Sequence, residues 1–352
     1  PAPYTVFSEI KKILPGTYVI IKPDYKKINQ EKHYWSFSNI ITEKSYAECK
    51  EELRELLKSA VKEQMNSDVP YGAFLSGGID SSLVVSYMQK MISEPVKTYS
   101  IGFENNKYNE AEFAKEVAKH LGTDHHTMYV SDKEAMELIP GLSEIYDEPY
   151  ADSSQIPTFF VSKFAKKEVT VSLTGDAGDE LFCGYYHYPK YNDMRKKINK
   201  IPYFAKSGFV KFSNTDMARI INQRTKNNRI YKLAKLFECK SQEEFFYYMK
   251  AFDTSKDGII KDVKDGPYYF LNSSDEKNDF ISNMQKIDYM TYLTNDILVK
   301  VDRAAMANSL ETRIPLLDRR IIEYAFSMPL EYKYYNGEKK RILRDLLFDE
   351  VA

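Results

Sequence analysis

The pattern of apolar and polar positions changes character twice along the chain. In the first 40 residues, apolar pieces such as Thr17-Tyr-Val-Ile-Ile21 read as strands, separated by prolines and a Pro15-Gly16 turn, and they lack a core of their own. From Ser45 the pattern settles into alternating helix and strand. Ser45 and Glu48 have capping-box spacing. Leu53, Leu56, Leu57, Ala60 and Val61 then form the apolar stripe of a helix predicted to run to about Asn66. Val69–Leu75 reads as a strand, and Leu83, Val84, Val85, Tyr87 and Met88 recur behind it at helical spacing. Val96–Gly102 predicts a second strand, Asn109–Leu121 a helix closed by a C-cap at Gly122, and His126–Val130 a third strand. Ser131 and Glu134 repeat the capping-box spacing, and a helix after Pro157 to about Lys167 leads into a strand at Val169–Thr174. Beyond Tyr188 the strand signal fades. Residues 189–300 are lysine-rich and mostly helical, with turn-like breaks at Asp265-Gly-Pro267 and Asn272-Ser-Ser-Asp275. Short connections between alternating elements predict an α/β fold: a doubly wound parallel sheet with a large helical C-terminal elaboration. In such sheets ligands bind beyond the carboxyl ends of the strands.

Composition narrows the class only slightly. With 50 Lys+Arg against 51 Asp+Glu, the net charge of −1 gives no support for general nucleic-acid binding. Cys49, Cys183 and Cys239 are far apart and form no C-x-x-C pair, which argues against zinc or disulfide frameworks and suits a reducing compartment. No apolar run approaches the ~18 residues that span a bilayer, and no signal peptide opens the chain, so the expected location is cytoplasmic and no membrane partner is expected.

Two loops carry the candidate chemistry. Leu75-Ser-Gly-Gly-Ile-Asp-Ser-Ser82 leaves a strand and enters a helix. Two glycines let the backbone turn and bring N–H groups close to an anion, the serines add hydroxyl donors, and the helix N-terminus adds a favourable partial charge. The loop therefore suits phosphate. It is not the Walker type, because no lysine occurs between Lys62 and Lys90. In place of that lysine stands Asp80, positioned to hold magnesium on the phosphates. The second loop, Thr174-Gly-Asp-Ala-Gly-Asp-Glu180, also leaves a strand through glycines. Its carboxylates would repel a nucleotide unless a cation lay between them, which again points to magnesium.

The S-G-G-I-D-S-S run resembles the pyrophosphate loop of the ATP pyrophosphatases, whose fold is adenine-nucleotide alpha hydrolase-like. Together with the acidic loop, the segment Asp296–Asp318 and the run Lys339-Lys-Arg-Ile-Leu-Arg344, the chain resembles the synthetase portion of the glutamine-hydrolysing asparagine synthetases over nearly its whole length. The resemblance implies ATP and Mg2+ as cofactors. It implies that Ser76, Gly77, Gly78, Asp80, Ser81 and Ser82 hold the β and γ phosphates, and that Asp80 and Asp179 bind the metal. Leu75, Ile101, Thr174 and Gly175 would frame the adenosine, and Lys340 would neutralise charge on the α phosphate. Asp176 occupies a position tied to acyl-adenylate formation where many members have Glu. The implied reaction joins ammonia to the side-chain carboxylate of aspartate through an acyl-adenylate. An amidotransferase or cyclase acting on another carboxylate, and a non-catalytic nucleotide-binding module, are the alternatives.

The same resemblance implies a domain plan: residues 1–44 as the remnant of a glutaminase domain and its linker, 45–188 as the α/β core, and 189–352 as the helical elaboration. A glutaminase domain is expected in the full-length protein, since Cys49 sits on a helix and is not its nucleophile. Free ammonia is therefore the expected nitrogen donor here, and a homodimer is left open. Arg303, Glu311, Arg313 and Asp318 lie in the signature segment, either clamping a substrate carboxylate or forming an ion-pair network that shapes the pocket. His33, His120, His125, His126 and His187 have no metal-ligand spacing.

Overall fold

A computed structural model of the chain describes residues 2–22, 31–37, 40–103, 110–225, 228–251 and 279–351. The turns expected at Asp265–Pro267 and Asn272–Asp275, and the first residue of the helix expected from Asn109, lie outside the described residues. The chain divides into two compact units, Pro1–Gly184 with Thr291–Ala352, and Tyr185–Met290. The segment read from sequence as one helical elaboration, 189–352, thus contributes to both.

The first unit is built on five parallel strands: β1 (Tyr71–Phe74), β2 (Lys97–Phe103), β3 (Asp124–Val130), β4 (Val171–Leu173) and β5 (Glu311–Arg313). Their order is β3-β2-β1-β4-β5. The chain winds outward from β1 to β3, then returns to add β4 and β5 on the other side of β1. The order reverses between β1 and β4, which pair in register from Tyr71↔Val171 to Ala73↔Leu173. Such a switch point opens a crevice at the carboxyl ends of its two strands. The doubly wound parallel sheet read from the alternation is thus the observed architecture. β5 was not expected. Three residues, Glu311-Thr-Arg313, carry no usable alternation, and only pairing with β4 makes them a strand.

The helices from Ser45, behind the Ser76–Ser82 loop and before Gly122 form where the periodicity placed them, whereas the one expected after Pro157 begins two residues earlier, at Gln155. α1 (Tyr46–Gln64) starts at a capping box in which Ser45 and Glu48 satisfy each other's backbone N–H, and it buries Leu53, Leu57, Ala60 and Val61 completely. Each such leucine contributes about 2 kcal/mol of burial. α2 (Ile79–Met91) and α3 (Ala111–Leu121) form the crossovers from β1 to β2 and from β2 to β3. Gly122 closes α3 with a left-handed φ of 73°. α4 (Gln155–Ala165) precedes β4, and α5 (Leu298–Met306) precedes β5. Ala165 and Ala305, near the ends of α4 and α5, pack with Tyr99, Val169 and Leu310 in one apolar cluster, so these helices share a face of the sheet. The last helix, α6 (Arg341–Val351), packs on α1 and α2. Arg54 of α1 reaches Glu350 at 3.0 Å and Asp349 at 2.6 Å. This docking delivers the residue before α6, Lys340, to the sheet.

The second unit is helical among its described residues, with Phe245, Phe246, Met249, Ile281 and Met284 buried in its core. No helix among the described residues is long and apolar enough to cross a membrane.

Candidate active site

The site begins where β1 ends. Leu75 continues the strand direction, its N–H donating to the Tyr99 carbonyl at 2.9 Å. The chain then turns at Gly77, whose φ is +78°. A Cβ there would lie 2.8 Å from the Ala114 amide nitrogen, so both the turn and its packing on α3 call for glycine. Gly78 is the N-cap of α2. The Ser76 and Ser81 hydroxyls lie 3.0 Å apart, and the Gly78 N–H donates to the Ser76 Oγ at 3.2 Å. The turn thus holds its own shape while the first N–H groups of a thirteen-residue helix face outward.

The second loop leaves β4, the neighbour of β1. The Thr174 N–H donates to the Arg313 carbonyl of β5 at 2.8 Å, and its hydroxyl donates to Asp176 Oδ2 at 2.7 Å. The loop packs directly on the first turn of α2. A Cβ on Gly175 would sit 2.5 Å from the Ser81 nitrogen, and one on Gly178 would overlap the Asp80 carboxylate. Gly184 is pressed in the same way against Asp179 and Lys340. Three non-glycine residues around this point have left-handed backbones: Ala177 (φ 72°), Cys183 (φ 58°) and Lys340 (φ 53°). Such conformations cost roughly 1 kcal/mol or more each and persist where surrounding structure enforces them.

Asp80, Asp179 and Lys340 meet at the centre. The Lys340 ammonium lies 2.5 Å from Asp80 Oδ2 and 2.8 Å from Asp179 Oδ1, and the Lys340 N–H donates to the Phe182 carbonyl at 3.2 Å. Burial pushes the Asp80 carboxyl above the usual carboxylate range; Lys340 opposes the rise, and Asp179 and Asp176 add to it. For Lys340, burial favours the neutral amine, but the two carboxylates outweigh it and hold the ammonium above its ordinary value. Asp80 Oδ1 and the Ser82 hydroxyl are sealed from solvent and have no hydrogen-bond partner among the described residues. A buried carboxylate oxygen left empty is costly unless a ligand fills it.

These features fit magnesium brought on phosphates. That ion takes one or two carboxylates and completes its shell with phosphate oxygens and water, so it needs no all-protein cage. Among the described residues no group of three or more His, Cys, Asp or Glu forms such a cage.

Leu75, Ser76 and Ile101 line a cavity of about 250 Å³ with Ala111, Ala114, Pro157 and Val161, beside the phosphate loop. Thr174 and Gly175 are not among its lining residues; they sit on the β4 side of the loop. The signature-segment side chains go elsewhere. Arg313 donates to the carbonyls of Gln64 and Asn66, both at 2.8 Å, tying down the end of α1, and it pairs with Glu311. Asp318 caps the helix Arg319–Ser327 and pairs with Arg320. Arg303 pairs with Asp147 at 2.7 Å in an exposed position. His125 is held by Thr98, Ser100 and Thr127, and His187 lies 3.4 Å from Asp288. Sequence reasoning missed Gly184, Ala177 and Cys183, and it named Lys340 without its left-handed backbone. Gly184 was legible as a further glycine just past the acidic loop, whereas a left-handed Ala, Cys or Lys leaves no signal.

Comparison with known proteins yields a family. A model described as asparagine synthase matches residues 52–351. The chain is 35% identical to asparagine synthetase (glutamine-hydrolysing) 1 of Bacillus subtilis over 98% of its length and 54% of that protein. It is 27% identical to asparagine synthetase (glutamine-hydrolysing) 3 of the same organism, over 97% of this chain and 52% of the relative. The asparagine synthetase (glutamine-hydrolysing) of Gallus gallus is 29% identical over 53% of this chain and 37% of its own. The chain thus spans about half the length of its Bacillus relatives.

Proposed function

The chain belongs to the asparagine synthase family, and on that premise we propose that it is an ATP-dependent amide-forming ligase that converts aspartate and ammonia to asparagine. The observation that carries this reading is the convergence of Asp80, Asp179 and Lys340 at the switch point, between the turn from Ser76 and the loop from Thr174. Residues so distant in sequence meet there in a setting suited to a polyphosphate and its cation.

In this reading the adenosine occupies the cavity lined by Leu75 and Ile101, with Thr174 and Gly175 on its phosphate side. Ser76, Gly77, Gly78, Ser81 and Ser82 would bind the β and γ phosphates through N–H and hydroxyl donors. Asp80 and Asp179 would hold magnesium, which neutralises charge on the departing pyrophosphate when bound. A carboxylate oxygen of aspartate attacks the α phosphorus, and the bond to the β-phosphate oxygen breaks. Lys340 supplies positive charge where negative charge grows on the α phosphate, the usual main term in phosphate chemistry. Asp176, oriented by the Thr174 hydroxyl, is assigned to this adenylation step. Ammonia then adds to the acyl carbon, a proton is lost, and AMP leaves with the shared oxygen. The protein's part is positioning and charge neutralisation.

Ammonia is the proposed nitrogen donor for this chain, since Cys49 is wholly buried in α1 and cannot attack glutamine. The test is pyrophosphate release with ATP, magnesium and ammonium, comparing aspartate with a panel of other acids. Aspartate should give the highest rate, and glutamine should not replace ammonium. A faster rate with another carboxylate would assign the chain to a different amidotransferase or cyclase reaction. ATP binding with no pyrophosphate from any acid would sink the ligase reading.

A further inference from the structure

Lys300 is more than nine-tenths buried, at 8% exposure. Among the described residues its ammonium has no acceptor and no carboxylate within 4 Å, and its carbonyl accepts from the Tyr146 hydroxyl at 3.4 Å. Yet the ammonium is not among the sealed, unsatisfied atoms, so its tip keeps contact with solvent. The other buried lysine among the described residues of the sheet-bearing unit, Lys333, donates to the Ala325 carbonyl at 3.2 Å and lies over the Phe326 ring. An ammonium carried on a buried stem, reached by solvent and without a counter-ion, is open to an anion that arrives there.

Topology places Lys300 at the working edge of the sheet. α5 runs back along the sheet before β5 starts, so its first turn lies towards the strands' carboxyl ends. At its other end, Ala305 packs with Ala165 and Val169, just before β4 begins. Lys300 lies five residues earlier, about 7.5 Å along the helix towards the phosphate loop. α5 packs against α4, whose Pro157 and Thr158 line the cavity beside Ser76. A nine-residue π-helix, Tyr289–Ile297, runs directly into α5, a distortion that often marks functional positions. The phosphates already have Lys340 and the N-terminus of α2, whereas the acid to be activated has no cation assigned to it.

We propose that Lys300 anchors the second carboxylate of the acid that the enzyme activates, making it the residue that selects a dicarboxylic amino acid. This rests on the ligase reading above. The test compares aspartate with 3-aminopropanoic acid, which is aspartate without its α-carboxylate, in wild type, Lys300→Met and Lys300→Arg. Wild type should prefer aspartate at least 100-fold in kcat/KM. Lys300→Met should raise KM for aspartate at least 30-fold, leave 3-aminopropanoic acid and the KM for ATP unchanged, and unfold at no lower temperature. Lys300→Arg should recover most of the preference. Equal loss with both acids, or a raised KM for ATP, would overturn the assignment in favour of a structural or phosphate-binding role. If wild type releases no pyrophosphate with aspartate, the ligase reading fails separately. Calorimetric aspartate binding then decides Lys300: an affinity that Lys300→Met leaves unchanged, or no binding by wild type, overturns the proposal.

Discussion

In the sheet-bearing unit, Asp80 meets Lys340 at 2.5 Å; in the helical unit, Asp288 meets Lys250 at the same distance. Both aspartates are buried. Their remaining oxygens differ. Asp288 Oδ2 accepts from the Tyr188 hydroxyl at 3.0 Å and faces His187 Nε2 at 3.4 Å, so both of its oxygens are engaged. Asp80 Oδ1 has no partner among the described residues. Asp288 is the last residue of the helix Phe280–Asp288, just before the π-helix, and is packed among aromatic rings that include Tyr188 and Phe246. Asp80 is pressed against glycines, among residues with left-handed backbones. An ion pair and its distance therefore do not separate a site from a structural clasp. Empty lone pairs, glycine clearance and enforced backbone do.

The largest effect should come from breaking the first pair. Asp80→Ala and Lys340→Met should each lower pyrophosphate release at least about 100-fold, about 3 kcal/mol of transition-state stabilisation. Stability should change little in Asp80→Ala, because Lys340 keeps Asp179. A fully active Asp80→Ala enzyme would remove the metal assignment. Gly178→Ala should act in the same direction without touching any charge, since its methyl would displace the Asp80 carboxylate.

Breaking the second pair should give the opposite profile. Asp288→Asn removes one ionised acceptor from Lys250 and Tyr188, and losing the buried partner of such a pair costs roughly 3 kcal/mol. Chemical denaturation should show this loss, while pyrophosphate release per folded molecule stays near wild type. A large drop in turnover with unchanged stability would mean that the helical unit's cluster belongs to the chemistry, and the contrast would collapse.

The contrast also explains how much could be read from the sequence. The loop Ser76–Ser82 was legible because its turn, cap and donors are consecutive, and consecutive residues on a strand–helix junction need little else to take shape. The acidic loop was legible for the same reason, and the capping boxes at Ser45 and Ser131 form as their spacing predicted. What depends on pairing across the chain was not. β5 exists through its register with β4, Arg313 is fixed by the carbonyls of Gln64 and Asn66, and Lys340 reaches Asp80 because α6 docks on α1 and α2. The unmatched cation of Lys300 was invisible for the same reason, since lacking a partner is a property of a folded neighbourhood. Asp288 and Asp80 look alike in sequence and part company only in their surroundings.

The smallest effect adds a third polar group, half-buried and satisfied like Asp288 but lying in the same unit as Asp80. His125 on β3 lies 2.9 Å from the Thr98 hydroxyl through Nδ1 and 3.2 Å from those of Ser100 and Thr127 through Nε2. Burial, aided by the charges of His126 and Lys115, lowers its pKa to about 4. The unfolded chain takes up this proton near the ordinary value of about 6.5. Stability from His125 is thus fully present above that value, falls as pH drops towards 4, and falls no further below it. After allowance for solvent around a half-buried ring, the loss should be about 1 kcal/mol. His125→Gln should flatten this part of the pH–stability curve and leave pyrophosphate release at neutral pH unchanged. An unaltered curve would place the titrating group elsewhere. A loss of activity would show that, in this sheet, even a polar group with every partner in place can serve the site.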